Sequence, residues 1–169
     1  MIKKLFLILS TIFLLSSCTM NTQTNTTNNQ IIITTKDGTI EAELYSDKTP
    51  NTAANFISKV QSKFYDGLIF HRVIEGFMAQ GGDPTGTGTG GGKITSEINQ
   101  IPFERGSFGL ARTPVTKEIS NDSQFFICFT TQGCQHLTGD YVNFGKVTSG
   151  LEVLDKIKQG DKIISITLK

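Results

Sequence analysis

Two stretches of the 169-residue chain hold the side chains best suited to chemistry: "FHRVIEGFMAQGGD", Phe70 to Asp83, and "SQFFICF", Ser123 to Phe129. Between them they supply one arginine, Arg72, two glutamines, Gln80 and Gln124, and the large apolar groups Phe77, Met78 and Phe126. A guanidinium donates hydrogen bonds in a fixed geometry and does not titrate, while an amide both donates and accepts. Neither is a nucleophile or a base. The chemistry expected of such a set needs no base, nucleophile or metal.

Other patterns in the chain fail when counted. In "GGDPTGTGTGGGK", a phosphate loop ending at Gly92-Lys93 needs glycine at 87 and Ser or Thr at 94, where Thr87 and Ile94 stand. Gly86, Gly88 and Gly91 satisfy GxGxxG, but no buried strand leads in and "KITSEINQ" makes a poor first helical turn. The plainer reading is a mobile loop with unusual backbone angles. Cys128, Cys134 and His136 are close in sequence, yet the one other histidine is His71, and zinc wants three or four ligands at paired spacing. No metal or cofactor is expected. Cys128 lies mid-strand among aromatics, where a thiol usually packs, although an oxidising compartment would also allow a disulfide to Cys134.

The elements that must position these residues follow from periodicity. "IIITTKDGTIEAELY" alternates after Asp37-Gly38, with Ile40, Ala42 and Leu44 on one side, and reads as a β-hairpin. "TPNTAANFISKVQ" offers Thr49 as N-cap, Pro50 at the first helical position and apolar residues at helical spacing. "SGLEVLDKIKQG" carries the capping box Ser149-x-x-Glu152 and a stop at Gly160, which predicts a second helix. "LIFHRVI", "SFGLA", "SQFFICF", "VNFGKV" and "IISITL" read as short strands. Many strands and two helices without regular alternation predict a mainly β fold, a closed antiparallel sheet with helices at its ends. On "SQFFICF", Phe125, Ile127 and Phe129 face the interior, leaving Phe126 as an exposed aromatic beside glutamine on the outer wall. That marks a ligand surface, unless a loop covers it.

The chain begins with a secretory pattern: two lysines, a largely apolar run from Leu5 to Leu15, then Ser16, Ser17 and Cys18. The run is about half of the roughly 20 residues a spanning helix needs. "LSSC" resembles the lipobox of bacterial lipoproteins, which implies cleavage before Cys18 and acylation of that residue. Residues 1–17 are then a signal peptide, 18–30 a lipidated cysteine and flexible Asn/Thr-rich tether, and 31–169 one domain. Cleavage removes Lys3 and Lys4, taking the formal charge from +1 to −1 with basic residues scattered. No footprint for nucleic acid is visible. The membrane is expected to be reached through the lipid alone, with the protein in the cell envelope on the extracytoplasmic side.

In order along the chain, "FHRVIEGFMAQGGD", "SQFFICF", "HLTGDYVNFGKV" and "GLEVLDKI" resemble the cyclophilin family of peptidyl-prolyl cis-trans isomerases. The resemblance covers essentially all of Ile31 to Lys169. It implies an eight-stranded antiparallel barrel capped by two helices, acting as a monomer on proline-containing polypeptides without a cofactor. Carried over by residue, it makes Arg72, Gln80 and Phe126 catalytic. Phe77, Met78, Phe126 and Leu137 form the proline pocket, Gln80 and Gln124 position the backbone, and Ala111, Arg112 and Thr113 lie along the groove. His136 stands where cyclosporin-sensitive members carry tryptophan and Tyr141 where many carry histidine, which implies weak cyclosporin binding. The rival from another class is a membrane-tethered module that grips proline-containing segments without useful turnover.

Overall fold

The computed structural model describes residues 29–169. Cys18, the leader and most of the tether therefore lie outside the described residues. Strand β1 (Gln30–Thr35) turns through Lys36 and Asp37 into β2 (Gly38–Leu44), with Thr35 opposite Gly38. β1 thus begins one residue before the expected domain edge. Ile31, Ile33, Ile40 and Leu44 are fully buried, as alternation on a one-sided sheet requires.

Helix α1 (Pro50–Gln61) follows, burying Thr52, Ala53, Phe56 and Val60. Thr49 occupies the N-cap but its hydroxyl donates to the Tyr45 carbonyl rather than capping. The cap comes from a distant carboxylate: Glu97 accepts from Asn51 N at 3.1 Å and Thr52 N at 2.8 Å. The free N–H groups of a first helical turn favour an anion there.

Then come β3 (Arg72–Ile74), β4 (Met78–Gly81), β5 (Lys93–Thr95), β6 (Ser107–Leu110), β7 (Ile119–Asn121) and β8 (Phe125–Cys128). A short helix α2 (Thr131–Cys134) runs into a 3-10 turn (Gln135–Leu137), followed by β9 (Asn143–Ser149), α3 (Leu151–Leu154) and β10 (Ser165–Leu168). The second helix expected from the sequence is thus one turn long. Ser149 ends β9 instead of capping, and Gly150 holds the N-cap with φ of 87°. A Cβ on Gly150 would lie 2.3 Å from the Thr39 carbonyl oxygen, so the chain there must be glycine to pack under β2.

Eight strands form one antiparallel sheet in the order β10-β1-β2-β9-β6-β8-β4-β3, and β5 pairs with β7 apart from it. The sheet is curled but open, which corrects the expected closed barrel. β3 has only three residues, and the chain before it meets the chain before β10 irregularly. One isolated bridge, Ile69 to Lys162, joins the two edges with a few backbone bonds such as Phe70 N to Asp161 O at 2.9 Å.

The concave face holds the main core, where Phe56 stacks on Tyr65 at 4.9 Å and meets Phe125 edge-on at 5.5 Å. A second, smaller cluster lies on the other face: Met78, Phe103, Phe126, Cys128, Cys134 and Leu137. β6 and β8 are buried on both faces. Cys128 and Cys134 are bonded as a disulfide, so Cys128 does more than pack.

Candidate active site

Strand register builds the site. Arg72 pairs with Gln80 across β3 and β4, Gln80 with Phe126 across β4 and β8, and Phe126 with Gly109 across β8 and β6. Residues directly opposite in an antiparallel pair project to the same face. The four therefore form one transverse row on the convex side. The neighbouring row is Ile74, Met78 and Cys128.

Phe126 faces outward as alternation predicts, but it is only 5% exposed, not an open aromatic. Phe103 stacks behind it at 5.7 Å and Tyr141 meets it edge-on at 5.9 Å. Gly109 lets the ring lie against the sheet, because a Cβ there would sit 2.1 Å from the Phe126 ring. Phe103 and Gly109 were not legible as site residues. A glycine inside "SFGLA" was the available signal, since glycine in a strand marks a close approach.

Arg72, Phe77, Met78, Gln80, Ala111, Arg112, Phe126, His136, Leu137 and Tyr141 line one cavity of about 200 Å³. Its floor is apolar, with Met78 and Leu137 almost fully buried. The exposed His136, on the 3-10 turn, lies with its ring 5.7 Å from that of Phe77. Thr113 and Gln124 do not line this cavity. They line an adjoining one of about 240 Å³ that shares Gln80, Ala111 and Arg112 with the first. A larger cavity of about 680 Å³ around the Arg105–Asp155 ion pair contains none of the candidate residues. Size alone does not select the site.

At the polar rim Arg72 Nη1 donates to Gln80 Oε1 at 3.2 Å, and Gln80 Nε2 donates to Gln124 Oε1 at 2.9 Å. One guanidinium N–H is thereby used and the rest of the fork remains for a ligand. Arg112 is held differently: its Nε donates to the Asp140 carbonyl at 3.0 Å and the guanidinium lies over Tyr141, 4.4 Å from the ring centre. It walls both cavities as a fixed cation. His71, beside Arg72, has both ring nitrogens buried without a protein partner. Burial pushes its pKa below the usual value, Asp83 pulls it up and Arg72 pushes it further down. A neutral imidazole there adds no second charge next to the guanidinium.

The arrangement offers a cationic donor at the lip of a pocket with an apolar floor, with His136 as the one imidazole on its rim. Such a site can hold a small ring and stabilise charge or lone-pair density beside it.

The cyclophilin type peptidyl-prolyl cis-trans isomerase/CLD family matches residues 30–166. A peptidyl-prolyl cis-trans isomerase of Synechococcus elongatus is 43% identical over 143 residues, covering 82% of this chain and 95% of that protein. Peptidyl-prolyl cis-trans isomerase B of Bacillus subtilis is 46% identical over 126 residues, 72% of this chain and 85% of that protein. Among solved structures, a Cryptosporidium parvum cyclophilin crystallised in the presence of the dipeptide Ala-Pro superimposes with a TM-score of 0.76 at 32% identity. The match covers 83% of this chain and 98% of that one. On fold, length and sequence together, this chain belongs to the cyclophilin family and is a peptidyl-prolyl cis-trans isomerase.

Proposed function

We propose that this isomerase acts on proline-containing segments of extracytoplasmic proteins, assisting their folding while held to a bacterial membrane by a lipid on Cys18. The observation that carries the catalytic reading is the transverse row itself, with Arg72 and Gln80 beside Phe126 at an apolar pocket.

Rotation about a peptide bond meets a barrier of roughly 18–20 kcal/mol because the nitrogen lone pair is delocalised into the carbonyl. The two isomers before proline are nearly balanced, so a catalyst needs only to lower that barrier. In the twisted transition state the lone pair returns to nitrogen and accepts a hydrogen bond that the planar amide cannot. Arg72 is the donor for it, and the stabilisation is confined to the transition state. Phe77, Met78, Phe126 and Leu137 hold the proline ring while Gln80, Gln124 and the edge near Ala111 hold the chain before it, so the carbonyl side twists against a fixed ring. A charge-assisted hydrogen bond nets about 1.5–3 kcal/mol, whereas a thousandfold acceleration needs about 4 kcal/mol. The pocket and the dry surroundings supply the remainder.

The dipeptide Ala-Pro present with the Cryptosporidium parvum cyclophilin supports proline-containing ligands for this pocket. A disulfide within the fold suits an oxidising compartment, which supports the extracytoplasmic placement. "LSSC" and the polar tether support the lipid anchor.

Arg72→Ala is expected to keep its fold, read by circular dichroism, and to lose about ten- to a hundredfold in kcat/KM on a proline peptide, the range one charge-assisted bond supplies. Unchanged turnover would remove Arg72 from the mechanism. The mature protein should begin at an acylated Cys18, and a mass spectrum showing that residue unmodified would end the anchor proposal.

A further inference from the structure

The glycine run from Gly81 to Gly92 is no phosphate loop, its GxGxxG lacks the helix a dinucleotide site needs, and the catalytic reading leaves it without a task. We propose that Asp83 is a positioning residue for catalysis: its carboxylate folds this run so that two loop carbonyls orient Gln124, which orients Gln80, which orients the Arg72 guanidinium. The proposal rests on the reading of Arg72 as the donor to the twisting imide.

Asp83 is 1% exposed. Its Oδ1 accepts from Thr85 N at 2.8 Å and from the Thr85 hydroxyl at 2.9 Å, and its Oδ2 accepts from Gly88 N. Burial alone would raise its pKa, but the bonds from Thr85, Gly88 and Gly90 outweigh it and hold the group at about 2. The loop is therefore wound around a hydrogen-bonded carboxylate that is ionised at neutral pH. Its Gly88 and Gly90 carbonyls then accept from Gln124 Nε2 at 3.2 and 2.8 Å.

Direction is the point of the chain. A carbonyl only accepts, so Gln124 must turn its NH₂ to the loop and its Oε1 the other way. That oxygen accepts from Gln80 Nε2, which turns the Gln80 oxygen toward Arg72. A guanidinium only donates, so the series closes with every donor aimed at the loop. Flipping either amide sets NH₂ against NH₂ or oxygen against oxygen, and for the largely buried Gln124 that leaves polar groups unmet.

Asp83 lines neither cavity of the site, so its influence on substrate is indirect, through these links and through its charge beside His71, and the amide signals of Gln80 and Gln124 tell the first route from the second. The loop has a second anchor in Asn121, whose Nδ2 donates to the Gly90 carbonyl at 2.9 Å. Removing the Asp83 charge therefore loosens the Gly88 side of the loop while this anchor remains.

The test is a double-mutant cycle by NMR exchange on a short proline peptide, with the wild type, Asp83→Asn, Arg72→Ala and the double variant. Asp83→Asn is expected to lower kcat/KM about tenfold, and to shift the side-chain amide signals of Gln80 and Gln124. In the Arg72→Ala background the same change is expected to cost clearly less, because the part of the loss that passes through the guanidinium is already gone. Equal losses in both backgrounds, or wild-type kinetics in a folded Asp83→Asn, would overturn the relay. If Asp83→Asn does not fold, Thr85→Val, which removes one bond to the carboxylate, carries the same cycle with a smaller expected loss and the same overturning outcomes. Failure of the underlying reading looks different: an inactive wild type, or Arg72→Ala at wild-type rate.

Discussion

Phe126 lines the apolar floor of the candidate site with Met78 and Leu137, and it can lie where it does because Gly109 has no side chain. A Cβ at 109 would overlap the ring at 2.1 Å, and the ring is also backed by Phe103, which blocks retreat. Gly109→Ala is therefore expected to destabilise the protein by about 1–3 kcal/mol, the usual cost of overpacking. It should also raise KM for a proline peptide, because the displaced ring fills the cavity. Denaturant melts and peptide kinetics check both, and wild-type KM in the variant would show that the ring adapts without closing the pocket. Arg72 illustrates the opposite requirement: exposed, yet aimed by Gln80 across the strand pair.

Among the elements, α1 depends on a residue far along the chain. Glu97 accepts from Asn51 and Thr52 at the first turn of the helix, and although burial pushes its pKa up, the bonds from Thr52 and Asn51 hold it below the usual carboxylate range. A group whose folded pKa is depressed contributes stability that is present above its unfolded value, about 4.3, and is lost as pH falls through the folded one. Glu97→Gln should cost about 0.5–2 kcal/mol at neutral pH, as loss of a cap does. The difference from wild type should shrink to nothing once Glu97 is protonated. Denaturant titrations at pH 7 and at low pH test this, and a gap that persists in acid would assign the cost to packing instead. The Asp83 carboxyl is shifted in the same direction, held at about 2 by its hydrogen bonds.

At the scale of the whole molecule, β6 and β8 carry two apolar clusters, the main core on one face and the site's own cluster on the other. The disulfide lies in the second cluster, with both cysteines fully buried. It ties β8 to the helix that runs into the 3-10 turn bearing His136 and Leu137. Closing so short a loop stabilises by about 2–3 kcal/mol in the chain-entropy account. Cys134→Ala is expected to lower the unfolding midpoint accordingly and to raise KM, since Leu137 loses its tether while Arg72 does not. Unchanged KM with a lowered midpoint would make the bond a matter of stability alone.

The local pattern of residues determined the first hairpin, α1 and the inward face of β8, because each rests on periodicity or on a motif within one stretch, whereas the candidate site residues came from the family resemblance. Ser149-x-x-Glu152 misled for the same reason: the motif is local, but β9 claims Ser149 for the sheet and Gly150 must pass beneath Thr39. Pairing between distant strands decided the rest. It set Arg72, Gln80, Phe126 and Gly109 in one row, left the sheet open, brought Glu97 to α1 and covered Phe126 with Phe103. Register and cover are properties of contacts between segments far apart in the chain, and no spacing within a segment encodes them.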